Sequence, residues 1–139
     1  MKKIFLVISI FSVILFGKDT LDRKTIQSAA FLNEVASGIN QQLPMMLDQE
    51  TRADSAIGLD KEIVYKYTLV NTNQNDFSPK DLINALKPSI KNSVCTTPSV
   101  KIFPENGVKM TYSYYSKDGK FIAEFTITPQ DCGFSKNKK

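Results

Sequence analysis

Apolar residues recur with a helical period in the segment from Thr20 to Gln42. They occupy positions i, i+3, i+4, i+7 and i+11 of a single stripe, which is typical of an amphipathic helix. The stripe consists of Leu32, Val35, Ala36, Ile39 and Leu43. A proline disfavours helical backbone in the residue before it, so we predict that this helix ends at Leu43–Pro44.

A second helical pattern follows the polar segment 71–77. Ser78 is a suitable N-cap residue, and Pro79 suits the first position of a helix. The apolar stripe consists of Leu82, Ile83, Leu86 and Ile90. Pro88 removes a backbone donor, so we expect it to kink or divide the helix, which leads to Cys95.

Between the two helical patterns, residues alternate with the period of a β-strand. The segment "EIVYKYTLV" (62–70) is rich in aromatic and β-branched residues and gives the clearest strand prediction. The preceding "ETRADSAI" (50–57) is separated from it by turn residues, so we interpret the two as a hairpin. Strict alternation places Thr51, Ala53, Ser55 and Ile57 on one face, and Glu50, Arg52, Asp54 and Ala56 on the other. A helix over residues 47–56 remains the alternative, because that segment has no β-rich run.

The segment "GVKMTYSYYSKDGKFIAEFTIT" (107–128) predicts a second hairpin. Asp118–Gly119 is a strong turn signal between two alternating arms. The apolar, inward-facing positions are Val108, Met110, Tyr112, Tyr114, Phe121, Ala123, Phe125 and Ile127. Tyr115 has the opposite parity to Tyr112 and Tyr114, so we predict that it is exposed.

The order helix-strand-strand-helix-strand-strand predicts an α+β fold. We expect an antiparallel sheet of about four strands with helices packed on one face. Residues 18–139 are predicted to form a single domain, whose basic C-terminal tail, "SKNKK", is disordered.

The first 17 residues have the pattern of a secretory signal peptide. Lys2 and Lys3 precede an apolar block over 4–16, which is shorter than the ~20 residues of a membrane-spanning helix. Gly17 is a suitable small residue at the cleavage site. Leu15 is large for its position, so an uncleaved anchor is the alternative. We therefore predict a periplasmic or secreted protein without an integral membrane span after cleavage.

Charge argues against a nucleic-acid partner. The full chain has 18 basic and 14 acidic residues, or +4. Without Lys2 and Lys3 the balance is 16 against 14, or +2, and part of that excess lies in the tail. The body is thus close to neutral and offers no broad basic field.

Cys95 and Cys132 are the two cysteines of the chain. An even cysteine count in an exported protein suggests a disulfide, and two cysteines allow one pairing. The alternative, a redox-active thiol pair, lacks the C-x-x-C spacing.

The segment "LPMMLDQETRADS" (43–55) holds the candidate polar cluster: Asp48, Glu50, Arg52 and Asp54. Paired carboxylates can act as general acid and base when their pKa values are split. Arg52 would instead keep its neighbours ionised, which favours a solvated face with surface ion pairs. The order of acids does not match a calcium-binding loop either.

The sequence predicts a protein that is not an enzyme and has no cofactor or metal. It contains no histidine, which removes every nucleophile–histidine arrangement and weakens zinc binding. Met45, Met46 and Tyr115 are the candidate partner-binding residues, since methionines suit adaptable interfaces. The alternative role for the methionines is filling gaps in the core.

Several segments resemble known exported proteins. "GINQQLP", a strand pair, a helix ending in Cys95, and the segment from "PSVKIFPENG" to Cys132 are similar to disulfide-containing α+β pilotins of secretin assembly. "LPMMLDQETRADS" followed by "YKYTLV" also resembles a group of uncharacterised exported bacterial proteins. The resemblance to pilotins implies a protein that binds a helix of the secretin and carries it to the outer membrane. Those pilotins are lipoproteins, whereas this chain has no cysteine directly after its predicted leader.

We therefore expect an exported, non-enzymatic protein-binding module, pilotin-like and accessory to envelope or secretion-system assembly. Its partner would be a helix or peptide laid in an apolar groove between helix and sheet. The alternatives are an inhibitor or immunity-type protein, and a small hydrolase that uses the carboxylates of Asp48, Glu50 or Asp54.

Overall fold

The computed structural model describes residues 21–134. The predicted signal peptide (1–17) and the tail 135–139 lie outside these residues. In chain order, the described part contains α1 (Arg23–Gln27), α2 (Ala29–Asn40), β1 (Met45–Met46), β2 (Thr51–Leu59), β3 (Glu62–Leu69), α3 (Pro79–Thr96), α4 (Pro98–Glu105), β4 (Lys109–Tyr115), β5 (Phe121–Ile127) and a 3₁₀ turn (Gln130–Cys132).

The fold is α+β, and its sheet has the strand order β1-β2-β3-β4-β5. The prediction of about four antiparallel strands is wrong in two respects. The sheet has a fifth strand, β1, which is only two residues long and too short for a recognisable pattern. In addition, β3 pairs with β4 in parallel, while the other pairs are antiparallel. The parallel pair requires the crossover that α3 and α4 provide.

The predicted first helix is two helices that meet at Ser28. Ser28 has extended backbone angles (φ −69°, ψ 144°), and its side chain accepts a hydrogen bond from the Phe31 N–H. It therefore acts as the N-cap of α2. The predicted apolar stripe is confirmed for the four of its residues that lie within α2, which are at most 3% exposed: Leu32, Val35, Ala36 and Ile39.

Helix α3 begins as predicted, with Ser78 accepting a hydrogen bond from the Asp81 N–H and Pro79 in the first turn. Pro88 was expected to kink or divide the helix; it does not divide it, since α3 runs through Pro88 to Thr96. Pro88 and Asn84 are both exposed. The Asn84 carbonyl, which loses its helical donor, can therefore be hydrated by water.

One surface of the sheet, the covered face, packs against the helices. Its aromatic rings are stacked: the centroids of Tyr65 and Tyr112 are 5.3 Å apart, those of Tyr67 and Tyr114 5.2 Å, and those of Tyr112 and Phe125 5.5 Å. All five side chains are buried. Burial raises the pKa of each of the four tyrosines well above its ordinary value of 10.0, because the ionised phenolate would be desolvated.

Helix α2 lies directly against the backbone of β2 at Gly58. A Cβ atom at this position would lie 2.1 Å from the backbone carbon of Leu32. A glycine is therefore required for the helix to approach the sheet this closely.

Two register shifts overturn the strict alternation expected from the sequence. One lies between Ala53 and Ser55 in β2, so Ala53 and Ala56 are both buried while Ile57 is 54% exposed. The other lies between Tyr114 and Tyr115 in β4. Phe121 therefore pairs with Tyr115 and is 49% exposed, instead of facing inward as predicted. A β-bulge changes side-chain parity in this way.

The predicted disulfide between Cys95 and Cys132 is present, with 5.2 Å between the two Cα atoms. It connects the C-terminal end of α3 to the 3₁₀ turn that follows β5. The bond closes a loop with a sequence separation of 37, which stabilises the fold by up to about 4 kcal/mol in the chain-entropy model.

Candidate functional site

The surface of the sheet opposite the helices, here called the open face, carries most of the polar strand residues. Its members follow from the pairing register and, for Asp54, from its hydrogen bonds to Arg52 and Thr68. They are Met46, Arg52, Asp54, Ser55, Ile57, Leu59, Glu62, Val64, Lys66, Thr68, Lys109, Thr111, Ser113, Tyr115, Phe121, Glu124 and Thr126. Three basic and three acidic residues are included, so this face is electrically balanced.

One row of the open face contains a residue from each of the five strands. Met46 pairs with Arg52, Arg52 with Thr68, Thr68 with Tyr115, and Tyr115 with Phe121. We call these five residues the terminal row. Four strand spacings give it a length of about 19 Å. Both of its ends are apolar and exposed, with Met46 at 45% and Phe121 at 49%.

Two members of the terminal row, Arg52 and Thr68, form a hydrogen-bonded cluster with the neighbouring Asp54. Arg52 Nε donates to Asp54 Oδ1 at 2.5 Å, and Arg52 Nη2 donates to Thr68 Oγ1 at 3.2 Å. Thr68 Oγ1 in turn donates to Asp54 Oδ2 at 2.5 Å. Both carboxylate oxygens of Asp54 therefore accept hydrogen bonds within the protein. This arrangement fixes Arg52 on the face and suits a structural or recognition role better than proton transfer.

The other two carboxylates of the candidate polar cluster lie apart from this pair. Asp48 Oδ1 accepts hydrogen bonds from the N–H groups of Glu50 and Thr51, both at 2.8 Å. Asp48 thus stabilises the turn before β2. Glu50 Oε2 accepts a hydrogen bond from Asn71 Nδ2 at 3.1 Å. The structure therefore brings Arg52 and Asp54 together, but it does not assemble all four residues into one constellation.

The three candidate partner-binding residues lie on two sides of the sheet. Met45 pairs with Ala53 and packs against the core, partly buried. Met46 and Tyr115 belong to the terminal row. The Tyr115 ring makes an edge contact with Phe121, with centroids 5.7 Å apart, and Lys66 Nζ lies 4.5 Å from the Tyr115 centroid.

The buried tyrosines of the covered face occupy the space between helices and sheet, where the sequence predicted an apolar groove. On the open face, Thr68, Thr111 and Ser113 are buried, whereas the large apolar residues Met46, Ile57, Leu59 and Phe121 are exposed. Sequence reasoning missed Phe121 as a member of this surface, because the bulge that reverses its parity leaves no local signal.

Hydroxyl and carboxylate side chains fill the middle of the open face. Ser113 Oγ donates to Glu124 Oε2 at 2.5 Å. Thr111 Oγ1 lies 2.8 Å from Thr126 Oγ1 and donates to Glu62 Oε1 at 3.3 Å. Each buried hydroxyl of this region therefore has a partner, which stabilises the sheet without a helix above it.

Within residues 21–134, no helix combines the length and the apolar character needed to cross a membrane. Among the same residues, no three histidine, cysteine or acidic side chains are grouped so that they could hold a metal ion.

Comparison with known proteins places the chain in a family. The profile of the domain of unknown function DUF8479 matches residues 27–123, so the chain belongs to this family. No curated protein sequence matches the chain significantly.

Three solved structures share the fold. A protein of Pseudomonas aeruginosa described as secreted has a TM-score of 0.67 and 13% identity, over 81% of this chain and 99% of that chain. EpsS, a pilotin of the Vibrio vulnificus type 2 secretion system, has a TM-score of 0.64 and 15% identity, over 78% and 94%. AspS, the type II secretion pilotin of Vibrio cholerae, has a TM-score of 0.59 and 15% identity, over 79% and 94%.

Proposed function

We propose that this protein is an exported, non-enzymatic protein-binding module that acts as a pilotin-like accessory in envelope or secretion-system assembly. The observation that carries the proposal is the fold, which extends over 94% of each of the two pilotins, EpsS and AspS. The disulfide between Cys95 and Cys132 also supports export, because such bonds persist in oxidising compartments.

The proposed docking surface is the terminal row of the open face. A partner helix lying along its length of about 19 Å would span about 13 residues at 1.5 Å per residue. Met46 at one end, and Tyr115 with Phe121 at the other, would contact apolar side chains of that helix. Arg52 would contact a polar or acidic side chain near its middle.

The arrangement of the carboxylates supports a non-enzymatic role. Asp48 caps a turn, and Asp54 is held by Arg52 and Thr68. A general acid or base needs a carboxylate oxygen that faces a substrate, whereas Asp48 Oδ1 and both oxygens of Asp54 accept hydrogen bonds within the protein. The chain also contains no histidine.

Binding measurements with a matched pair of variants test the proposal. The mature protein is titrated into fluorescently labelled peptides that cover the predicted helices of the secretins of its own bacterium. Met46→Glu is compared with Leu59→Glu, because both residues are 45% exposed on the open face. Leu59 lies at the hairpin end of β2, outside the terminal row.

We expect one peptide to bind, Met46→Glu to weaken binding about tenfold or more, and Leu59→Glu to change it less than about threefold. If none of the peptides binds, the proposed secretin partner is wrong. If the two variants weaken binding equally, the docking surface is not the terminal row. Circular dichroism confirms that both variants are folded.

A further inference from the structure

Strand β5 is the last strand of the sheet, so one of its two sides has no neighbouring strand. Successive residues of a strand direct their backbone groups to opposite sides. Lys109, at the start of β4, donates its N–H to the residue before β3. Tyr112, three residues later, therefore bonds to the β5 side, where its partner is Phe125. It follows that the backbone groups of Glu124 and Thr126 point away from the sheet.

These outward groups are free to pair with an added strand. Helix α3 contacts β5, but within residues 21–134 nothing hydrogen-bonds to the outward N–H and carbonyl groups of Glu124 and Thr126. Buried backbone groups are almost always paired, so these four groups face water. They form the free edge of β5.

Two side chains mark where the free edge begins and ends. Gln74 Nε2 donates to the Phe121 carbonyl at 3.1 Å. At the other end, Asp131 Oδ2 accepts a hydrogen bond from the Thr128 N–H at 2.8 Å. The chain thus blocks the strand edge on both sides of the free edge and leaves the groups between them open.

A cavity of about 320 Å³ lies beside the first residues of β5. Phe121 and Ile122 line it from the strand, and Gln74, Phe77 and Pro79 line it from the segment that leads into α3. Phe77 and Phe121 are 48% and 49% exposed, so two large apolar side chains border the cavity without being covered. An apolar side chain of an added strand would fit between them.

The exposed carboxylate of Glu124 favours a positively charged partner. Its Oε2 accepts a hydrogen bond from Ser113 Oγ, and among the described residues no lysine or arginine forms an ion pair with it. Opposite charges on neighbouring strands stabilise their pairing. A second copy of β5 contains no basic residue, so a foreign strand with a lysine or arginine is the better match.

We propose that the free edge of β5 binds an extended segment of a partner protein as a sixth strand. The spacing of its residues follows from β4, where Tyr115 and Ser113 lie opposite Phe121 and Glu124. Because of the bulge, a paired strand meets these two positions with residues that are two apart. The segment therefore carries an apolar residue for the cavity and, two positions away, a lysine or arginine for Glu124.

This site goes beyond the proposed helix docking on the terminal row. A helix on the open face would bind through side chains, whereas the added strand binds through the backbone of β5. The two sites have Phe121 in common. Tests at Glu124, Phe77 and Thr126 therefore report on the added strand alone.

Fluorescence anisotropy with synthetic peptides of about seven residues tests the site. Each peptide alternates threonine and valine and carries one leucine and one lysine two positions apart. Both orders of leucine and lysine are used, one for each direction of the added strand. The control peptides have the same side chains but methylated backbone nitrogens, which cannot pair with a strand edge.

Three variants are compared with two controls. Glu124→Gln removes the charge, Phe77→Ala opens the cavity, and Thr126→Pro removes an outward N–H, a change that an edge strand tolerates. The controls are Glu34→Gln, which is exposed on α2, and Ile57→Ala, which is 54% exposed on β2. We expect each of the three variants to weaken binding at least about fivefold and each control less than about twofold.

A charge exchange sharpens the test. Glu124→Lys should reject the lysine peptide and bind a peptide in which glutamate replaces that lysine. The proposal is overturned if no peptide binds at millimolar concentration, if the methylated peptides bind equally well, or if variants and controls do not differ. A dimer that Thr126→Pro dissociates, without peptide binding, would also overturn it and assign the edge to a second copy.

Discussion

The two faces of the sheet differ in what holds them together. On the covered face, four tyrosines and Phe125 are stacked beneath the helices and exclude water. On the open face, side chains are held by hydrogen bonds and ion pairs, and Met46 and Phe121 remain exposed. Adjacent residues of β4, such as Tyr112 and Ser113, belong to opposite faces. One strand thus contributes aromatic residues to the covered face and hydrogen-bonding residues to the open face.

The largest effect on the free energy of unfolding is expected from the covered face, at alkaline pH. The pKa values of Tyr65, Tyr67, Tyr112 and Tyr114 are raised by burial. The free energy of unfolding therefore keeps its full value below the unfolded-state pKa of about 10. It decreases above that pH, because these tyrosines ionise in the unfolded chain before they ionise in the folded protein. Each of the four contributes a loss of about 1.4 kcal/mol per pH unit.

Urea denaturation between pH 8 and pH 11, followed by far-UV circular dichroism, measures this loss. Tyrosine absorbance near 295 nm should show that the four buried residues ionise together with unfolding. Ionisation of all tyrosines near pH 10 in a protein that stays folded would contradict the stacked, dry covered face.

Truncation of neighbouring residues in β4 separates the two faces directly. Tyr112→Ala removes a side chain that is 1% exposed, and we expect a loss of about 3–5 kcal/mol in the free energy of unfolding. Ser113→Ala removes the hydrogen bond to Glu124, and we expect a loss of about 1 kcal/mol. Chemical denaturation at pH 7 measures both. Equal losses would show that the open face is as important for stability as the covered face.

The smallest effect on the free energy of unfolding is expected from the ion pair between Arg52 and Asp54. The side chains of Arg52 and Asp54 are 43% and 17% exposed, so solvent screens their attraction. Arg52→Leu should lower the free energy of unfolding by at most about 1 kcal/mol. The same variant should weaken peptide binding at least about threefold. A loss of stability above about 2 kcal/mol would mean that Arg52 serves the fold and not recognition.

Local patterns in the sequence predicted the elements whose conformation depends on residues close to them in the chain. The apolar stripe of α2, the N-cap at Ser78 and the strand at 62–70 follow from periodicity and capping. The disulfide followed from the cysteine count and the predicted export. The helix stripe, the cap and the strand depend on neighbours in the chain, and two cysteines allow only one pairing, so a single sequence contains the information for all of them.

The features that depend on distant partners could not be predicted. The parallel pairing of β3 with β4 is determined by the crossover through α3 and α4, and no residue pattern marks it. The bulges at Ala53/Ser55 and Tyr114/Tyr115 reverse parity, which moves Phe121 to the open face. The terminal row exists only after all five strands are aligned, so its five residues have no common sequence signal.

The most direct test of the proposed role is made in the bacterium that encodes this protein. The gene is deleted, and secretin multimers in the outer-membrane fraction are quantified by immunoblotting. The deletion should reduce the multimers severalfold; wild-type protein and Leu59→Glu should restore them, and Met46→Glu should not. An unchanged amount of secretin multimers in the deletion strain would contradict a pilotin-like function of the protein.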